Sequence, residues 1–386
     1  MSQGPGQHSD LEVEVAIVGA GVIGLACAAV LARRGREVVV LERHGAVGQE
    51  TSSRNSGVIH AGLYYPPGSL KAQLCVRGRE LVYARCERDG IGHARCGKLV
   101  VATDAAEEAK LEQILARATA NGVPEVRMLG AREFAALEPR VRAIAALTST
   151  RTGIVDAHGL MESYRAEARA HGAELALSTE LVALEPSESR IRLLTRSGAA
   201  AERFAIDARR VINAAGLAAD RVAAMAGLDV RALGLEQGYC KGDYFALASR
   251  LRGAVSQLIY PVPLEAGLGI HITLDLSGQL RLGPDTEYID GLDEHAYRVD
   301  EGKAAHFAHA VRRYFPELRD EDLRPDYAGV RPKLQRPGQP MADFHIEEAS
   351  THGAPGLVNL IGMESPGLTS SEAIAEHVAA LLEEMD

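Results

Sequence analysis

Residues 13–43 read VEVAIVGAGVIGLACAAVLARRGREVVVLER. Val15 to Val18 form a continuous apolar run, the pattern of a parallel strand buried on both faces. A glycine turn follows. Then comes an apolar stretch, Ala26 to Leu31, that suits a buried helix ended by Gly35. EVVVLE reads as a second strand, so the stretch predicts a βαβ unit. Gly19, Gly21 and Gly24 make G-x-G-x-x-G, and Glu42 ends the second strand 18 positions after Gly24. Gly19 allows the tight turn, Gly21 lets a pyrophosphate approach the backbone, and Gly24 lets helix and strand pack closely. The helix N-terminus favours phosphate charge, and Glu42 is placed to accept hydrogen bonds from a ribose diol. The glycine spacing alone is weak. Its position between a strand and a helix makes a dinucleotide site the expectation, ahead of an empty glycine-rich turn.

Outward from this unit, 386 residues are enough for two lobes. The net charge of −10 argues against a nucleic-acid binder, but not against an anionic small substrate. The five cysteines, Cys27, Cys75, Cys86, Cys96 and Cys240, show no CxxC pair and suit reduced thiols. No metal site is expected. The start, MSQGPGQHSD, has neither a basic nor an apolar signal region, and VIGLACAAVLA is too short to span a bilayer. The expectation is a cytoplasmic protein, with the basic helix at 70–88 as the one candidate face for a peripheral membrane contact.

Further helices are expected at about 104–121, 159–171 and 300–314, and in LTSSEAIAEHVAALLEE, where Ile374, Val378, Leu381 and Leu382 share a stripe. Parallel-type strands lie near both ends and near residue 211, with alternating, antiparallel-type segments over 233–289. The expected fold is therefore α/β plus α+β. A discontinuous Rossmann-like domain (1–88, 145–230 and 330–386) would carry an inserted, mainly antiparallel substrate domain (89–144 and 231–329).

A single G-x-G-x-x-G does not separate NAD from FAD. Two other segments favour FAD. GQETSSRNSG supplies Thr51, Ser52, Ser53, Asn55 and Ser56, small donors suited to pyrophosphate and ring contacts, where a nicotinamide enzyme would continue with βα units. IGMESPGLTSS places Gly362 after a buried strand, with Ser365 as the expected cap and Pro366 as the first residue of the last helix. Such a helix N-terminus would stabilise an anionic reduced flavin.

The segments GAGVIGLACAAVLARRG, LER, TSSRNSGVIHAGLYY, INAAG, GVRPKL and IGMESPGLTSSEAIAEHV resemble the FAD-dependent oxidoreductases of the D-amino-acid oxidase superfamily, and within it the L-2-hydroxyglutarate dehydrogenase/oxidase branch. The resemblance runs over nearly the whole chain. It implies FAD, oxidation of a small 2-hydroxy acid to the 2-oxo acid by hydride transfer to flavin N5, and an antiparallel sheet roofing the flavin. It adds Arg43, Gly57, Val182, Ala215, Gly216, Glu364, Gly367, Leu368 and Thr369 to the expected cofactor contacts. Relatives that attach flavin through a histidine in a similar HAAG context leave a covalent link at His60 open.

Oxidising a hydroxy acid needs a cation for the carboxylate, a base for the hydroxyl proton and a fixed pose. Arg331, extended by the Pro332 that follows, is the expected carboxylate ligand, ahead of a surface ion pair. His60 and His271 are the candidate bases. In GLGIHITL, alternation puts Leu268, Ile270, Ile272 and Leu274 on one face and Gly269, His271 and Thr273 on the other. Tyr64 and Tyr65 suit the pocket or the core equally, and Lys241 is the candidate ligand of a second carboxylate. An amine or amino-acid oxidase on the same fold is the runner-up, followed by a non-catalytic flavin-binding protein and an NAD enzyme. Oxygen, a quinone and a carrier protein all stay open as electron acceptors.

Overall fold

A computed structural model describes residues 9–198, 201–263 and 269–386. Leu268 lies outside the described residues, as does most of the N-terminal segment read for targeting.

The first strand, Leu11–Val18, lies between Val38–Leu41 and Glu202–Asn213, parallel to both. Its alternate residues enter two separate cores. Val15 and Ile17 face the helices, while Ala16 and Val18 join Val39, Leu41 and Val211 on the other side. Burial on both faces is why the sequence runs apolar without alternation. Glu202–Asn213 is long enough to serve two partners. Its first half pairs antiparallel with Ile191–Ser197, and its last residues pair parallel with Leu357–Ile361. The helix Val22–Arg33 is buried all round, packed against the helices Ala157–Ala170 and Gly367–Glu384.

A second sheet of nine strands, among the described residues, is mostly antiparallel. Leu258–Pro261 is the exception, pairing parallel with Lys98–Ala102. Two of its strands depart from the expected segmentation. Ala145–Ser149, expected with the nucleotide domain, pairs with Lys98–Ala102 and Val126–Gly130 in this second sheet. Leu323–Lys333 runs across residue 330 as one strand along Gly238–Leu247.

The helix expected to offer a basic face, Leu70–Asp89, does not offer a free one. Lys71, Arg79 and Arg85 are buried, and Arg85 is held by Glu372 (2.8 Å) and Glu167 (2.6 Å). Its exposed Arg77 and Arg88 pair with Glu376 and Asp89. Among the described residues no helix is long and apolar enough to cross a membrane.

Candidate active site

One cavity of about 770 Å³ runs from the glycine turn to the second sheet. At the near end Gly19 has φ +102°, and a Cβ there would stand 2.6 Å from the carbonyl of Ala214. A Cβ on Gly24 would stand 1.9 Å from the carbonyl of Gly19, so it is a packing residue behind the turn, not part of the cavity wall. Glu42 is buried at the wall. One oxygen accepts from the Ala20 amide (2.8 Å), the other from the His44 amide (2.9 Å). Each oxygen keeps a lone pair for a ribose hydroxyl. Arg43, Ala215 and Gly216 line the same end. An elongated cradle with a side-chain-free turn, a helix N-terminus and a fixed carboxylate fits a dinucleotide.

The segment after the second strand works differently from expectation. Its small side chains bond to backbone groups of the loop and of the elements around it. Thr51 donates to the Val330 carbonyl (2.8 Å), Ser52 accepts from the Val22 amide (2.9 Å), and Ser53 donates to Glu50. Asn55 donates to Ser52 and accepts from the Gly57 amide. Short polar side chains satisfy nearby backbone before they reach a ligand. Thr51, Ser52, Asn55 and Ser56 still line the cavity, whereas Ser53 and Gly57 do not; Gly57 backs onto the Val155 carbonyl. Val182 is 40% exposed and outside the wall, which Thr179 to Leu181 form instead.

The last helix starts at Gly367 with Pro366 as its cap, and no side chain caps it. Ser365 is therefore not the cap. Its hydroxyl lies 3.3 Å from His60 Nε2. Glu364, Gly367 and Leu368 line the cavity, so the helix N-terminus does face it. Gly362 packs against Leu334, and Thr369 accepts from the His60 amide (2.9 Å), both behind the wall.

Arg331, His60, His271, Tyr64 and Tyr65 line the same cavity. Arg331 Nε donates to the Cys240 carbonyl (3.3 Å), and Nη2 donates to Lys241 (3.1 Å) and Asp285 (2.7 Å). Those bonds aim the group and, among the described residues, leave the two N–H of Nη1 for a ligand. His271 stacks on Tyr260, ring centroids 3.6 Å apart. Beyond Tyr260 lies Lys98, its ammonium 3.8 Å from that ring and 5.6 Å from that of Tyr64. Burial, then the charge of Lys98, then His271 hold His60 well below the usual histidine range. A neutral imidazole is the form that accepts a proton. The Tyr64 hydroxyl is buried and makes no hydrogen bond among the described residues.

Lys241 does not reach the cavity. In Gly238–Leu247 it is Gly242 and Tyr244 that face the cavity, so parity sends Lys241 to the other face, where it meets Asp243 at 3.4 Å. Two other lysines line the wall, Lys71 and Lys333, both on Glu364. Sequence reasoning missed them, though the signals exist. Lys71, Cys75, Gly78, Val82 and Cys86 fall on one helical stripe, and Lys333 follows Arg331 by one strand period.

A family model described as FAD dependent oxidoreductase matches residues 14–381. The mitochondrial L-2-hydroxyglutarate dehydrogenase of Arabidopsis thaliana is 42% identical over 400 residues, which cover 95% of this chain and 83% of that protein. The human mitochondrial L-2-hydroxyglutarate dehydrogenase is 30% identical over 413 residues, covering 95% and 88%. Among solved structures, dithionite-reduced L-alpha-glycerophosphate oxidase from Mycoplasma pneumoniae with FAD bound superposes with a TM-score of 0.85 at 27% identity. That alignment covers 96% of this chain and 95% of that one.

Proposed function

The chain belongs to the family of FAD-dependent oxidoreductases, and from that premise we propose that it oxidises L-2-hydroxyglutarate to 2-oxoglutarate. The observation that carries this reading is a half-buried arginine, with two N–H groups unbonded among the described residues, lining with a pair of histidines the cavity that fits the cofactor. The curated relatives named for L-2-hydroxyglutarate over nearly the whole chain support the substrate.

Bound FAD supplies the acceptor for the hydride that leaves the α-carbon. Every other task falls to side chains. Gly19, Gly21 and Glu42 would hold the adenosine and pyrophosphate end, and Pro366 to Leu368 the ring end. Arg331 Nη1 takes the carboxylate next to the reacting carbon. One imidazole of the His60 and His271 pair takes the hydroxyl proton as the C–O bond becomes a carbonyl. Tyr64, Tyr65 and Tyr260 exclude water from that proton transfer.

The test is turnover with an artificial electron acceptor. Wild-type enzyme forms 2-oxoglutarate from L-2-hydroxyglutarate. Arg331→Met keeps its FAD and loses about 30- to 1,000-fold in kcat/KM, the range expected when one partner of a buried charge pair is removed. No 2-oxoglutarate from loaded wild-type enzyme would remove the substrate; an unchanged Arg331→Met would remove the carboxylate role.

A further inference from the structure

A hydroxydicarboxylic acid brings a second carboxylate, and Lys241 faces away from it. The cavity wall holds another cationic group. Glu364 Oε1 accepts from Lys71 Nζ (3.1 Å) and from Lys333 Nζ (3.0 Å), and Oε2 lies 2.8 Å from Lys333. The three side chains are 3%, 6% and 13% exposed for Lys71, Glu364 and Lys333. We propose that Lys333 and Lys71, bridged by Glu364, receive the distal carboxylate of a dicarboxylic substrate whose near carboxylate is held by Arg331. The inference rests on the hydroxy-acid reading above and adds a determinant of substrate charge.

Spacing supports it. Arg331 and Lys333 are two residues apart on the straight strand Leu323–Lys333, so their side chains leave the same face about 6.5 Å apart. The residue between Gly329 and Arg331, Val330, packs on the opposite face with Leu217 and Tyr239. The carboxyl carbons of an extended five-carbon diacid are about 5 Å apart across four C–C bonds. A diacid gripped at both ends therefore fits along this strand.

Charge supports it too. Two ammonium groups and one carboxylate leave one net positive charge, and Arg331 adds a second. A dicarboxylate carries two negative charges. Burial works against ionisation of Glu364, but Lys71, Lys333 and Arg331 hold its carboxyl below the usual range. The carboxylate thus keeps the two lysines together when no substrate is bound. Lys71 donates one of its three N–H groups to Glu364 and has two to spare among the described residues. A triad serving only the fold would be better replaced by apolar side chains, because buried ion pairs seldom repay their desolvation. This one lines a cavity instead.

The test compares L-2-hydroxyglutarate with L-2-hydroxyvalerate, the same length without the distal carboxylate, on the FAD-loaded enzyme. Wild type should favour the diacid by 100-fold or more in kcat/KM. Lys333→Met should cut the diacid at least 10-fold more than the monoacid, mainly through KM. Equal losses on both substrates, or a diacid rate that does not fall, would overturn the subsite. If Lys333→Met fails to hold FAD, Lys333→Gln keeps hydrogen bonding without charge and is read the same way. Loss of FAD in both variants would assign the triad to the cofactor and overturn the proposal. Failure of the underlying reading is seen separately, as wild-type enzyme that does not oxidise the diacid at all.

Discussion

Lys98 is 1% exposed and lies over the rings of Tyr260 and Tyr64, with no carboxylate against it among the described residues. Burial pulls its pKa from 10.5 to about 7. Between those values the unfolded chain holds a proton that the folded chain has released. Stability therefore rises with pH across that window, and the cost of the buried ammonium is felt in full below it. The shift corresponds to roughly 5 kcal/mol. Lys98→Met should thus stabilise the protein by a few kcal/mol more at pH 6 than at pH 10, as read by urea unfolding. An equal change at both pH values would contradict this. The same ammonium helps keep His60 neutral. Removing it should move the acid limb of kcat/KM upward, from below the ordinary histidine value towards it. Nothing in the sequence around Lys98, CGKLVVAT, distinguishes it from a lysine at a strand edge. Its meaning comes from Tyr64 and Tyr260, 34 and 162 positions away in the chain.

Between elements, one glycine sets how closely two helices approach. A Cβ on Gly78 would stand 2.4 Å from the carbonyl of Thr369, where the helix Leu70–Asp89 meets the helix Gly367–Glu384. That contact also fixes Lys71 against Glu364 and the His60 amide against Thr369. Gly78→Ala should cost about 1–3 kcal/mol, the range for overpacking, and lower FAD occupancy. Gly291→Ala, in open space, should do neither. Thermal unfolding and the ratio of flavin to protein absorbance check both, and a neutral Gly78→Ala would sink the argument. What could be read in advance follows the same logic. The βαβ unit was legible because turn, packing and charge are all local in residues 13–43. The strand order was not, because Ala145–Ser149 joins the second sheet through partners at 98–102 and 126–130. Lys241 was misjudged for a related reason: a one-residue uncertainty in which face of a strand meets the cavity reverses every side chain. The donors Thr51, Ser52, Ser53 and Asn55 bond to backbone groups of the protein, and sequence does not say which backbone groups they satisfy first.

Over the whole molecule, the two sheets hold opposite ends of one cavity. The nucleotide end is centred on one contiguous stretch, Gly19 to Arg43. The acid end gathers His60, His271, Arg331 and Glu364 from four distant segments. This division explains why the cofactor was readable earlier than the substrate contacts. It also makes one claim central: an α-hydroxy acid placed at the far end reduces a flavin held from the near end. The most direct test is the visible spectrum of the purified, FAD-loaded protein, recorded without oxygen before and after adding L-2-hydroxyglutarate. The account predicts that the flavin band bleaches and that 2-oxoglutarate appears in equal amount. A band that stays unchanged with L-2-hydroxyglutarate, in protein that dithionite bleaches fully, would contradict it.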